Sequence, residues 1–92
     1  INTFHIDIAL FACKGLHIEH GVTDANESDA QIKKMICKAA KKKILAVDSS
    51  KFDRISFTEV CELEDVDMVV TDIEPDERWK QALLAAQIEI VY

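Results

Sequence analysis

The chain has 92 residues, 49% of them hydrophobic and 30% charged, the balance of one soluble globular domain at the short end of the size range. Eleven Lys and Arg against 17 Asp and Glu leave a formal charge of -6, and that field repels phosphate backbones, which excludes bulk nucleic-acid binding by this piece. No apolar run approaches the ~18 to 20 residues of a membrane span and no basic-then-apolar leader opens the chain, so the sequence reads as cytoplasmic, with no membrane partner.

The first apolar run, Ile6 to Ala12, has the length and Ile, Leu and Phe content of a buried strand, and it ends at Cys13-Lys14-Gly15. A loop follows. From Asn26 the apolar residues Ile32, Met35, Ile36, Ala39 and Ala40 recur at helical spacing, with lysines on the other faces. Asn26 suits a cap, Glu27 and Asp29 the positive end of the dipole, and the lysines the negative end. Ile44 to Val47 predicts a second buried strand that runs directly into Asp48-Ser49-Ser50-Lys51-Phe52. An irregular stretch with Phe57, Val60 and Leu63 leads to a third strand, Val66 to Val70, ending at Thr71-Asp72. Pro75 then suits the first turn of a helix with Trp79, Ala82, Leu83 and Ala86 on one stripe, and Ile88 to Tyr92 closes as a fourth strand. This alternation predicts an α/β fold, a mainly parallel sheet with helices on both faces. A sheet of that kind is hard to cover with so short a chain, so the sequence is read as a fragment of a larger domain.

In open parallel sheets ligands bind beyond the C-terminal strand ends. Three such ends are polar here: Cys13-Lys14-Gly15, Asp48-Ser49-Ser50-Lys51 and Thr71-Asp72, with Thr23, Asp24 and Lys33 in reach from the loop and first helix. These residue types suit a polyol phosphate. Asp48 can accept from sugar hydroxyls, Ser49 and Ser50 can donate, and Lys14, Lys33 or Lys51 can neutralise a phosphate or carboxylate. The structural alternative has equal standing: Asp and Ser after a strand most often cap the following turn. Lys33 belongs by default to a solvated lysine face, Asp72 and Glu74 to a helix start, and Trp79 to the core. His17-Ile18-Glu19-His20 lacks the H-E-x-x-H spacing and a third ligand. Cys13, Cys37 and Cys61 are odd in number and form no C-x-x-C pair, so they read as reduced thiols; no metal and no cofactor is called for.

Five segments in order carry a family resemblance: Phe11 to Gly15, Gly21 to Asp24, Ala30 to Lys33, Asp48 to Phe52, and Asp65-Val66-Asp67 followed by Val69 to Asp72. Together they resemble the C-terminal domain of DeoR-type repressors over about Asp7 to Tyr92. The resemblance implies a fold similar to ribose-5-phosphate isomerase, used to sense a phosphorylated sugar rather than convert it. It also implies an N-terminal winged helix-turn-helix through which alone operator DNA is bound, a Gly/Ser/Thr-rich phosphate loop in the other half of the domain, and assembly as a homo-oligomer. On this reading residues 1–92 are the C-terminal portion of the sensor, with Lys14, Gly15, Thr23, Asp24, Lys33, Asp48, Ser49, Ser50 and Lys51 at the effector and no catalytic residue. Lys14 stands where the isomerases carry acidic groups, which removes the general base that isomerisation needs. Two rival functions share the fold: an isomerase or deaminase fragment, and a module that only holds subunits together.

Overall fold

The computed structural model describes residues 5–92. In chain order the elements are β1 (Ile6–Phe11), β2 (Gly15–His17), β3 (Gly21–Asp24), α1 (Glu27–Ala39), β4 (Ala40–Ala46), β5 (Thr58–Cys61), β6 (Met68–Val70), α2 (Glu77–Ala85) and β7 (Glu89–Val91), with 3-10 turns at Ser49–Lys51 and Leu63–Asp65. The main sheet has the order β1-β4-β6-β7 and every pairing in it is parallel, so the α/β class and the parallel sheet are as expected. A second sheet, β2-β3-β5, is antiparallel. Its strands fall in the segments read as a loop and as an irregular stretch. Gly-Val-Thr-Asp and Thr-Glu-Val-Cys are short and only half apolar, and they become strands by pairing with each other rather than by pattern.

Asn26 caps α1 as its sequence position suggests, its Oδ1 accepting from the Asp29 backbone N–H at 2.8 Å. The buried face of α1 differs from the predicted stripe. Ala30 and Cys37 face the core, whereas Ile32 and Met35 are exposed and line a surface groove of about 260 Å³ with Ile6, Ile36 and Ala39. Ala40 is not helical at all but opens β4. The helix is thus apolar on two sides, and periodicity alone could not say which side the sheet covers.

Register places Phe11, Leu45, Val69 and Ile90 in one row across the main sheet, with Val47 on the same face. These residues share one core with Ala30 and Cys37 of α1, Trp79 and Leu83 of α2, and Leu16, Val22 and Val60 of the small sheet. Both helices therefore lie on one face, not on opposite faces as the alternation suggested. The cause is the strand order: each connection steps one strand in the same direction, and right-handed crossovers then all fall on one side. The opposite face carries Ile8, Leu10, Ile44, Ala46, Met68, Val70 and Val91, none of them buried, with Ile8 and Leu10 at 60% and 68% exposure.

Parallel sheets are stable when both faces are covered. We therefore expect the isolated 92-residue chain to self-associate at micromolar concentration, read by sedimentation equilibrium. A monodisperse monomer would contradict it.

Gly21 opens β3 with φ at +74°, and a Cβ there would lie 2.5 Å from the Cys61 carbonyl oxygen and 3.0 Å from the Cα of Glu62. Left-handed backbone costs an L-residue about 1 to 2 kcal/mol before any contact is counted. Gly21→Ala should therefore destabilise the fold by at least about 2 kcal/mol, a fall of roughly 8 to 16 °C in thermal midpoint for a domain of this size. An unchanged melting curve would mean that the β3–β5 junction is not built this way.

Candidate functional site

The parallel strands place the segments after β1, β4 and β6 along one edge of the main sheet. After β4, Asp48 sits in extended backbone and accepts from the Ser50 N–H at 2.9 Å, from the Ser50 hydroxyl, and from Lys51 Nζ at 3.4 Å. The turn-capping role expected of Asp and Ser at this place is thus realised. The Ser50 hydroxyl and N–H hold the Asp48 carboxyl below the usual carboxylate range, with Lys51 adding to them against a small opposing effect of burial. Asp48 and Ser50 remain exposed, and Ser49 and Lys51 half-buried.

Asp72 was assigned to a helix start, and the structure corrects that. Asp76 caps α2, accepting from the Trp79 N–H at 2.9 Å, and Glu74 pairs with Lys80. Pro75 precedes the cap instead of sitting in the first turn. Asp72 lies at the end of β6 and accepts from the Ser49 N–H at 2.8 Å, the Thr71 hydroxyl at 3.2 Å and the Ser49 hydroxyl at 3.5 Å. It ties the β6 end to the turn after β4. An open groove of about 380 Å³ runs between these two ends, with Val47, Asp48, Thr71 and Asp72 in its wall. The position of Asp72 directly after an apolar strand is the criterion that placed it, with Asp48, among the polar strand ends.

The other group of predicted residues surrounds the end of β1. Lys33 Nζ donates to the Ala12 carbonyl at 2.7 Å and to Asp24 Oδ2 at 2.5 Å, so it is no part of a merely solvated lysine face. Asp24 is 2% exposed and also accepts from the Ala25 N–H at 2.9 Å. Burial by itself would raise the Asp24 carboxyl; the hydrogen bonds from Lys33 and Ala25, with the charges of Lys33 and Lys14, outweigh it and hold the group below its ordinary 3.8. The buried Thr23 hydroxyl is engaged twice, donating to the Gly15 carbonyl at 3.3 Å and accepting from the Ser56 N–H at 2.8 Å. At Gly15 a Cβ would lie 2.6 Å from the Arg54 carbonyl oxygen. Gly15, Thr23 and Asp24 therefore have structural contacts that account for them, while the Lys14 side chain lies in the open.

Between the two groups sits the buried Cys13. Its thiol is pushed up to about 11, first by burial, with Lys33 and Lys51 lowering it and Asp24 raising it. The charges of both clusters thus converge on the end of β1. A backbone bridge from Leu16 to Phe52, and the Asp53 N–H donating to the Leu16 carbonyl at 2.8 Å, fix the turn after β4 against β2. The Trp79 ring packs edge-on against Phe52, centroids 4.8 Å apart, and its Nε1 donates to Asp53 at 3.0 Å, which makes it the core anchor expected. His17 and His20 stack at 4.9 Å within one turn, and the His17 Nδ1 accepts from the Glu19 and His20 N–H groups. Among the described residues no cluster of three or more His, Cys, Asp or Glu is arranged to hold a metal ion.

A parallel sheet with both helices on one face and polar strand ends along one edge defines the chain as an α/β domain. The model of the DeoR C terminal sensor domain matches residues 1–73, and the chain belongs to that family. It is similar to the HTH-type transcriptional repressor GlcR of Bacillus subtilis (32% identical over 91 residues, 99% of this chain and 35% of the relative). It is also similar to the deoxyribose operon repressor of Escherichia coli (29% over 92 residues, 100% and 36%). An uncharacterized HTH-type transcriptional regulator of Bacillus subtilis, YulB, is 30% identical over 90 residues, 98% of this chain and 35% of its own length. The chain thus spans about a third of the length of the curated relatives it matches.

Proposed function

We propose that residues 1–92 form the C-terminal portion of the effector-binding domain of a DeoR-type bacterial transcriptional repressor, and that the effector is a phosphorylated sugar. The observation that carries this reading is the shared edge where Lys14, the Asp48–Lys51 turn and Asp72 remain open to a ligand, while Lys33, Asp24, Thr23 and Gly15 build the wall behind them. Lys14 and Lys51 supply charge for an anion; Asp48, Ser49, Ser50 and Asp72 supply acceptors and donors for hydroxyls. The chain binds without turnover, because no side chain at this edge is placed as a general base: Asp48 and Asp72 are held as low-lying carboxylates by their own turns. The full protein works in the cytoplasm as a homo-oligomer, reaches operator DNA through a separate N-terminal domain, and shifts between states of different operator affinity when the crevice fills. The uncovered face of the main sheet, whether met by the rest of the domain or by another subunit, fits that arrangement.

Asp48→Asn and Lys51→Met in the full-length protein are the test, each assayed for thermal midpoint and for operator release against a panel of sugar phosphates. We expect midpoints near the parent's, because exposed polar substitutions change stability little. Effector affinity should fall by about ten- to a hundredfold with the loss of a charged hydrogen bond. If both variants melt well below the parent yet respond normally once folded, the Asp48–Lys51 turn is structural only and the effector binds elsewhere.

A further inference from the structure

Two of the three cysteines meet in a place the effector reading does not use. Cys37 lies on α1 and Cys61 ends β5, the strand against which α1 packs most extensively. The two thiols line one solvent-open cavity of about 530 Å³, edged by Lys34, Lys38 and Lys43 and by the carboxylates of Glu59, Glu62 and Asp65. Cys13 stands apart, buried at the end of β1. We propose that Cys37 and Cys61 are a reversible oxidation site, closing an intramolecular disulfide that staples α1 to β5.

The chemistry has a natural direction. The neighbouring Cys61 thiol lowers the Cys37 thiol, against burial and Asp65 and with help from Lys43, while Cys61 is pushed up and keeps its proton. With a hydroperoxide as oxidant, the Cys37 thiolate attacks one peroxide oxygen, the O–O bond breaks, and the departing oxygen leaves as an alcohol, or as water from hydrogen peroxide, after taking a proton. The Cys37 sulfenic acid is then attacked by the Cys61 sulfur; the S–O bond breaks, and the hydroxide leaves as water with the Cys61 proton. Two thiols lose two electrons, one peroxide gains them, and a thiol reductant reverses the step. Closure joins two elements that already pack together, bringing the sulfurs that share this cavity to the roughly 2.05 Å of a disulfide. The cavity admits the oxidant to this pair, whereas burial holds the Cys13 thiol at about 11, in its protonated and unreactive form.

The staple has a structural consequence. Lys33 lies one helical turn before Cys37, on the same side of α1, and β5 pairs with β3, which carries Asp24. Oxidation would therefore clamp together the two elements that hold the Asp24–Lys33 pair.

The experiment treats the reduced full-length protein with a small excess of hydrogen peroxide, blocks the remaining thiols with an alkylating agent, and maps peptides by mass spectrometry. The expected product is a Cys37–Cys61 linked peptide, removed by dithiothreitol and absent from the Cys37→Ser and Cys61→Ser variants, with Cys13 recovered as a free thiol. The linked protein should also melt higher than the reduced one. Recovery of both cysteines as free thiols, their conversion to sulfinic or sulfonic acids without a link, or linkage that appears only in urea would each overturn the proposal. The mapping of the unmutated protein decides the matter even if a serine variant fails to fold.

Discussion

Replacing Lys33 by methionine should be among the most damaging single changes to this domain. Methionine fills much of the same space but leaves the Asp24 carboxylate, 2% exposed, with one backbone N–H for company and only the weaker charge of Lys14. Breaking a buried ion pair by removing one partner costs about 3 to 5 kcal/mol, because the remaining charge stays desolvated. A domain of this size has roughly 5 to 14 kcal/mol of stability in total, so denaturant midpoints should fall by about a fifth or more. The pH dependence should change with it. In the parent, Asp24 titrates below its ordinary 3.8, so its contribution is present above that pH and is lost as pH falls through the lower folded value. In the variant, burial is opposed only by the Ala25 N–H and Lys14, so the folded pKa moves up from the parent's lowered value and the loss of stability on acidification shrinks or reverses. Chemical denaturation of parent and variant at pH 7, pH 5 and pH 3.5 measures both effects. A variant of parental stability with an unchanged pH slope would show that the Asp24–Lys33 contact contributes nothing to the fold.

Trp79→Ala should cost about 3 to 5 kcal/mol for a different reason, the loss of a buried ring that collapse cannot replace. Trp79 is 1% exposed and joins α2 to Phe52 in the turn that follows Asp48, so the cavity would open directly behind the proposed effector edge. Trp79→Phe separates two contributions. It keeps most of the packing but removes the Nε1 donor to Asp53, a hydrogen-bond loss of about 0.5 to 1.5 kcal/mol. Asp53 holds φ at +63°, a conformation that the hydrogen bonds from Trp79 and Arg78 help to fix. We therefore expect Trp79→Phe to fold and to weaken effector response more than its modest change in melting temperature suggests, and Trp79→Ala to melt at least about 10 °C below the parent. Equal thermal midpoints for the two variants would show that an aromatic ring at this position packs no better than a methyl.

Sequence reading reached the local chemistry of this protein reliably where a short-range rule governs it. Asn26 caps α1, Asp48 caps its own turn, and Ile6–Phe11, Ile44–Ala46 and Met68–Val70 are strands, because caps depend on neighbours two or three residues away and buried parallel strands are continuous apolar runs. The five ordered segments also carried the family, which the match over residues 1–73 shows independently.

Everything that depends on distant partners was settled only by the folded chain. Strands β2, β3 and β5 are too short and too polar to announce themselves, and they exist because they pair with one another. Periodicity found the apolar residues of α1 but not its buried side, since Ala30 and Cys37 are small and chemically quiet beside Ile32 and Met35. Sequence offered Lys33 both as an effector contact and as a solvated lysine, and Asp72 both as a polar strand end and as a helix start; only the folded chain brought Asp24 and the Ala12 carbonyl to Lys33 and Ser49 to Asp72. The strand order, which no local pattern encodes, put both helices on one face and left Ile8, Leu10 and their row uncovered. Local sequence thus determined which residues are strands, caps and candidate ligands, whereas tertiary structure decided which of those polar groups the fold consumes and which it leaves open. The physical reason is that a hydrogen bond or an ion pair belongs to two residues, and the second is found only when the chain has closed.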